Sequence, residues 1–178
     1  DVIIPKKGLS ELAKFIDTNN ETIKIGVKDN HFIYQNDNEF IMIKLLEGEY
    51  PDYKSLINYE DMISIEMDKA MFNALMKRVS ILTSDDYKSV ILSFKGNELI
   101  VTNTNHDIGE SKERMIIQFK DEEIKCAFNP RYFMDALSLF NDSHVSINIK
   151  KKLCIIRNID TYNLVCVIMS MRIEGKEN

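Results

Sequence analysis

One pattern occurs three times along these 178 residues, and it narrows the possible folds more than any other feature. Each copy is a short apolar run, then an amphipathic helix, then three strand-like runs. In the first copy Asp1–Ile4 is the apolar run, and Pro5 fits the first helical position, where its missing N–H costs nothing. Leu9, Leu12, Ala13 and Ile16 then fall at i, i+3, i+4 and i+7, one face of a helix. Thr22–Val27, His31–Gln35 and Glu39–Leu45 read as strands, parted by turns at Lys28-Asp29-Asn30 and Asn36-Asp37-Asn38.

The second copy opens with Met62–Met67, and Asp68 is placed to cap a helix. Phe72, Leu75, Met76 and Val79 repeat the apolar face. Ser89–Phe94, Glu98–Asn103 and Arg114–Phe119 are its strands, with a turn at Lys95-Gly96-Asn97 and a longer polar loop at Thr104–Lys112. The third copy starts at Ile124–Phe128, with Asn129 as cap and Pro130 opening the helix. Phe133, Ala136, Leu137 and Phe140 give the face again, and Val145–Ile149, Leu153–Arg157 and Asn163–Met169 are the strands. Element order and helix face recur together at a period of roughly 60 residues, which predicts an α+β fold built of β-α-β-β-β units.

A strand set with one apolar face needs a second layer to bury it, and one such unit has little core of its own. The second and third copies can pair into one domain. The first is left without a mate, and the chain opens on a strand with no initiating Met. The expectation is a fragment lacking at least one N-terminal unit, divided at residues 1–58 and 59–178.

Other classes are excluded by what the residues lack. No apolar run approaches the ~20 residues that span a bilayer as a helix, and no basic start followed by an apolar stretch marks a secretory signal. Cys126, Cys154 and Cys166 are odd in number, widely spaced and set in strand-like runs, as buried free thiols in a reducing cytoplasm would be. His31, His106 and His144 have no metal-ligand spacing, among themselves or with the cysteines. No glycine-rich phosphate loop follows a strand, and no Ser-His-Asp or Cys-His set can be assembled. Asp85-Asp86 and Glu122-Glu123 sit at turns and read as solvated charge. The expectation is no catalytic residue, no metal and no cofactor.

The net charge of −5 argues against a nucleic-acid partner until its distribution is read. The three helical segments 5–17, 69–82 and 129–140 together carry +4, and the remainder carries −9. Basic charge therefore gathers on the helices.

Between the first two copies stands Leu45-Leu46-Glu47-Gly48-Glu49-Tyr50-Pro51-Asp52-Tyr53. By itself it reads as a linker pinned by two aromatics around a proline. It also resembles the Gly-x-Phe/Tyr-Pro-Asp-Tyr segment that joins the second and third domains of the bacterial DNA polymerase III beta sliding clamp. Val2-Ile3-Ile4-Pro5-Lys6-Lys7-Gly8 with Glu11-Leu12 resembles the opening of that family's fourth unit. Phe128-Asn129-Pro130-Arg131-Tyr132 is similar to its Phe-Asn-x-x-Tyr, and Val167–Ile173 to its closing Val-Val-Met-Pro-Met-Arg-Leu. These motifs lie in order over residues 2–173.

The resemblance implies the DNA-clamp fold, with helices on one face of a curved sheet. It implies a non-catalytic processivity factor that encircles duplex DNA without reading sequence and tethers the replicative polymerase. The clamp loader and other clients with a short binding motif would share the same cleft. Lys6, Lys7, Lys14, Lys69, Lys77, Arg78 and Arg131 would face DNA. The cleft would be formed by Pro51, Leu56, Asn129, Tyr132, Leu153, Ile155, Val167, Ile168, Met169, Ser170, Met171 and Arg172. The implied place is the bacterial cytoplasm, beside the nucleoid.

The departures are specific. Ser170 stands where the family usually has proline, and restores an N–H with which the last strand can pair one residue further. Ser55 stands where some members carry an arginine, Glu174–Asn178 extends past the usual end, and the Thr-Asp-Gly-His-Arg-Leu stretch of the opposite cleft wall is absent. Family rings close between domain one of one protomer and domain three of the next. A full-length homodimer is therefore implied, and for this chain alone a monomer or a dimer through another surface. The alternatives are a peptide-binding adaptor that never touches DNA, and a hydrolase completed by the missing half.

Overall fold

The computed structural model describes residues 2–16, 22–37, 39–50, 52–58, 61–84, 88–105, 109–150, 152–161 and 163–172. Pro51, His106, Asp85-Asp86 and the 174–178 tail, all singled out in the sequence, lie outside them. The chain forms two compact units, one up to Tyr53 and one from Lys54 onward, a division slightly ahead of the boundary read from the sequence.

The first unit runs α1 (Lys6–Phe15), β1 (Lys24–Lys28), β2 (His31–Gln35) and β3 (Phe40–Lys44). Its strands form one antiparallel sheet in the order β1-β2-β3. Asp29 and Asn30, between β1 and β2, take φ of 48° and 60°, the left-handed pair that a tight two-residue hairpin requires. Pro5 lies one position earlier than expected, as the helix cap, and its carbonyl accepts the Leu9 N–H at 3.1 Å. Leu12 of α1 packs over Tyr34 and Ile43, flanked by Ile4, Phe32 and Ile41. The helix approaches so closely that a Cβ on Gly8 would fall 2.4 Å from Ile43 Cγ2. Val2–Ile4 forms a single antiparallel bridge, Ile3 to Leu46, in place of the expected strand.

After the short α2 (Tyr53–Leu56), the second unit holds two copies of the same pattern. The first of these is β4 (Ile63–Asp68), α3 (Lys69–Val79) with a 3-10 turn at Ser80–Leu82, β5 (Val90–Lys95), β6 (Glu98–Asn105) and β7 (Gly109–Ile116). The second is β8 (Ile124–Phe128), α4 (Pro130–Leu137), β9 (His144–Lys150), β10 (Leu153–Arg157) and β11 (Val165–Met169). Both helices are capped as the sequence predicts. Asp68 Oδ1 accepts the Met71 N–H at 2.8 Å, and Asn129 Oδ1 accepts the Arg131 N–H at 3.0 Å.

The two copies exchange their opening strands. β4 joins the sheet β11-β10-β9-β4, and β8 joins β7-β6-β5-β8. The described strands therefore group into three sheets, and a single described bridge, Ala127 to Met171, links the two in this unit. The inner faces of both sheets and the apolar faces of α3 and α4 share one core. Phe133 is at its centre, edge-on to Phe72 and to Phe128 with ring centroids 5.4 Å apart in each case.

The polar stretch after Asn103 is the clearest departure from expectation. β6 continues to Asn105 and β7 already begins at Gly109, with Asn105 opposite Gly109. Asn103 and Asn105 are buried because their side-chain amides serve the end of α3. Asn103 Nδ2 donates to the Val79 carbonyl at 3.2 Å, and Asn105 Nδ2 to the Leu82 carbonyl at 3.0 Å. Asn105 reads as loop in the sequence, and in the fold both amides act as a helix stop.

Candidate functional site

The candidate cleft residues of the second unit converge through backbone pairing. In β10 and β11, Leu153 lies opposite Met169 and Ile155 opposite Val167. Strand alternation puts all four on one face of the sheet, turned away from the core. Ile155 is fully buried, Leu153 and Val167 are half-buried and Met169 is exposed, so the apolar strip grades from covered to open. Ile168 is a correction: the same alternation turns it inward, and it packs in the core.

The chain leaving β11 completes this surface. Ser170 N–H donates to the Lys152 carbonyl at 3.0 Å, a bond that proline at this position cannot make. Met171 N–H then donates to the Ala127 carbonyl at 2.7 Å. This second bond carries Ser170–Arg172 to the end of β8, beside the start of α4, where Asn129 and Tyr132 stand. Tyr132, Met171 and Arg172 are exposed, and Ser170 is half-buried. The Asn129 side chain is occupied as the α4 cap. Leu56 is half-buried in α2, and Pro51 lies outside the described residues. On either side of Pro51, Tyr50 and Tyr53 meet edge-to-face with centroids 6.1 Å apart.

Sequence reasoning missed the polar strip next to the apolar one. Asn148 faces Ile155 across the β9–β10 pair and is buried, with its Nδ2 donating to the Ile155 carbonyl at 3.3 Å and to Ser146 Oγ at 3.2 Å. Ser64 Oγ and Ser146 Oγ are 3.0 Å apart. The alternation in Val145-Ser146-Ile147-Asn148-Ile149 carried the signal, since it gives the strand two buried faces of different chemistry.

The helix cations divide into two groups. Lys6, Lys7, Lys77 and Arg131 are exposed. The other three hold protein partners. Lys14 Nζ lies 2.8 Å from the Glu11 carboxylate, and Arg78 Nη2 lies 2.8 Å from Glu113 Oε2. The hydrogen bond to Glu113 raises the Arg78 pKa above its ordinary value. Lys69 Nζ donates to the Phe140 carbonyl at 2.7 Å, three residues past the end of α4.

Cys126 and Cys154 are buried and Cys166 is half-buried, all as free thiols. Burial, with Cys126 adding to it, pushes the Cys154 thiol far above its ordinary range. Among the described residues no three His, Cys, Asp or Glu gather into a metal site, and no helix is long and apolar enough to cross a membrane.

Two family models match the chain. Residues 1–52 match the DNA polymerase III beta subunit, central domain, and residues 54–172 its C-terminal domain. A beta sliding clamp of Haemophilus influenzae is 29% identical over 174 residues, 97% of this chain and 48% of that protein. One from Staphylococcus epidermidis is 35% identical over 153 residues, 83% of this chain and 40% of that protein. The chain thus spans about half the length of these relatives or somewhat less. Among solved structures, the Bacillus subtilis sliding clamp superposes with a TM-score of 0.78 at 27% identity, over 97% of this chain and 47% of that one. The Bartonella birtlesii sliding clamp, solved bound to griselimycin, gives 0.83 at 22% identity, over 97% of this chain and 47% of that one. The fold is the sliding-clamp fold, and the chain belongs to the DNA polymerase III beta-subunit family, the bacterial beta sliding clamps.

Proposed function

We propose that the chain serves as part of a sliding clamp, contributing the second half of clamp domain two and the whole of domain three. Its role is non-catalytic and needs no cofactor. Exposed cations on the helices contact phosphates of duplex DNA, and such contacts carry no sequence information, so the protein can slide. A polymerase tethered to the clamp meets its template at an effective concentration of roughly millimolar for short flexible links, which gives processivity without chemistry. The site of action is the bacterial cytoplasm at the nucleoid, and in whole-length relatives the working form is a closed homodimer.

The observation that carries this reading is the apolar strip of Leu153, Ile155, Val167 and Met169 in a chain of this family, with the exposed Met171 two residues past Met169. The occupant is a short client peptide with Leu-Phe-type anchors, and the flexible methionines suit a surface that accepts several clients. Apolar side chains that a bound peptide covers carry much of the binding energy, and Met169 is the most open of the four. Met169→Ala should therefore weaken a fluorescent client peptide by about 1–3 kcal/mol. A folded Met169→Ala chain that binds the peptide as wild type does would place the groove elsewhere.

A peptide-binding adaptor that never touches DNA is the second reading. It is favoured by Lys14, Lys69 and Arg78, which already hold intramolecular partners. Duplex titrations at stepped salt separate the two readings. Weak binding that falls steeply with salt, and falls equally for all sequences in Lys77→Ala, supports the clamp; no binding at low salt supports the adaptor.

A further inference from the structure

All three copies of the repeat contain the same hairpin, and its turn differs in the third. Lys28 lies opposite His31, Lys95 opposite Glu98 and Lys150 opposite Leu153, so two residues stand between each pair. In the first copy they are Asp29-Asn30 and in the second Gly96-Asn97, the residue types that such turns favour. In the third they are Lys151-Lys152. Lysine has no such preference, so turn formation does not account for it. Lys150, Lys151 and Lys152 are three consecutive cations in a chain whose net charge is −5.

The position of this turn gives the cations a use. Leu153 pairs with Lys150 on one side and with Met169 on the other, so Lys150, Leu153 and Met169 form one row across β9, β10 and β11. Directly paired residues share a sheet face, and neighbouring strands lie about 4.8 Å apart, so the row spans about 10 Å. Lys150 and Lys152 are exposed. Their backbone is tied to the segments that complete the apolar strip. The Lys152 carbonyl accepts the N–H of Ser170, the residue after Met169, at 3.0 Å. Cys126 Sγ, from β8, donates to the Lys150 carbonyl at 3.8 Å.

We propose that this lysine turn is a specificity element of the client groove, one that reads acidic side chains flanking the apolar anchors of a client peptide. The proposal rests on the client reading above. A peptide whose anchor covers Leu153 and Met169 brings its neighbouring residues over Lys150. An acidic residue there meets an ammonium group on a flexible stem, and the methylenes of that stem can lie along Leu153. Charges at the rim of a groove choose between partners and speed encounter more than they add affinity. The chain as a whole repels an acidic peptide, so a local basic turn decides where such a peptide docks. Phosphates of a nucleic-acid strand would also attract lysines, but they offer no apolar anchor to Leu153 and Met169, in whose row Lys150 stands.

Three fluorescent peptides with the same Leu-Phe anchors test this. One has two aspartates before the anchors, one has two aspartates after them, and one has asparagines at both places. In anisotropy titrations of the 178-residue chain at low salt, at least one acidic peptide should bind about three- to tenfold tighter than the neutral one. The ratio should shrink as salt is raised. In Lys150→Gln/Lys152→Gln the preference should vanish. A ratio of two affinities in one protein does not depend on how much of that protein is folded. No preference in the wild-type chain, or one that survives both substitutions, overturns the proposal, and binding of the neutral peptide then leaves the client groove standing. Failure of all three peptides to bind overturns the client reading and this proposal with it. If the double variant keeps the peptide preference but loses affinity for a single-stranded oligonucleotide, the turn serves nucleic acid and the proposal is overturned as well.

Discussion

The first unit and the second are made from the same pattern, but the first holds one copy and the second holds two. The paired copies bury both sheets and both helices in a single core that runs from Ile65 to Ile168. The lone copy's core cluster is Leu12, Tyr34 and Ile43, with three partly covered neighbours. Its helix face is as apolar as the others in sequence, yet Leu9 and Ile16 meet solvent. An amphipathic pattern states which residues can be buried. Whether they are depends on a second layer arriving to cover them.

The largest effect should come from the centre of the paired core. Phe133→Ala removes a buried ring packed on Phe72 and Phe128 and should cost the second unit about 3–5 kcal/mol in denaturant unfolding. All three cysteines lie in that unit, so labelling of the buried Cys126 and Cys154 reports its opening alone. Labelling should accelerate in Phe133→Ala and stay slow in Leu12→Ala. If Leu12→Ala exposes Cys154 equally, the two units unfold together and the contrast fails.

A smaller loss is expected from Gly8→Ala in the first unit. Its new methyl would meet Ile43 Cγ2, and overpacking of this kind costs about 1–3 kcal/mol. Ile43→Ala deletes that methyl, so a double-mutant cycle should show part of the cost of Gly8→Ala recovered. Additive losses would mean that the helix shifts rather than clashes.

Caps rank next. Asn129→Ala and Asp68→Ala should each lower the melting free energy of the second unit by about 1 kcal/mol, measured by thermal unfolding. A loss confined to one of them would show that the two copies do not share their helix ends equally.

The smallest effect belongs to Glu123, which accepts from Lys125 at 2.9 Å and from Lys95 at 3.3 Å. The hydrogen bond from Lys125, then that from Lys95, lowers its pKa. Its contribution is present above the ordinary carboxylate range and is lost as pH falls through the lowered value. Glu123→Gln should therefore be slightly less stable than wild type at neutral pH and indistinguishable in acid. High salt should erase the difference, because the group is exposed.

Much of this was legible in the residues, for physical reasons. Helix faces, caps and hairpin turns are local, so Phe72–Val79, Asp68, Asn129 and Asp29-Asn30 announce themselves within a few positions. The errors arose where a residue's role is set from far away. Asn105 looks like loop because the carbonyl it serves, on Leu82, is more than twenty positions distant. Lys69 looks like a solvated cation because its partner carbonyl is on Phe140. The closing motif groups Ile168 with Val167 and Met169, whereas strand alternation separates them. The sharing of strands between sheets has no local signature, so the residues alone do not say which opening strand joins which sheet.

The exchange of opening strands also sets a timetable for synthesis. β4 pairs with β9, and Ser64 faces Asn148, so the partner strand emerges some eighty residues later. At ~5–20 residues per second the wait is several seconds. Ile65 and Met67, destined for the core, stay uncovered on the nascent chain for that interval. Long-range pairing of this kind slows folding and lengthens the window in which an apolar strand can find a wrong partner. The second unit therefore cannot acquire its core copy by copy, and it commits only when both copies have left the ribosome.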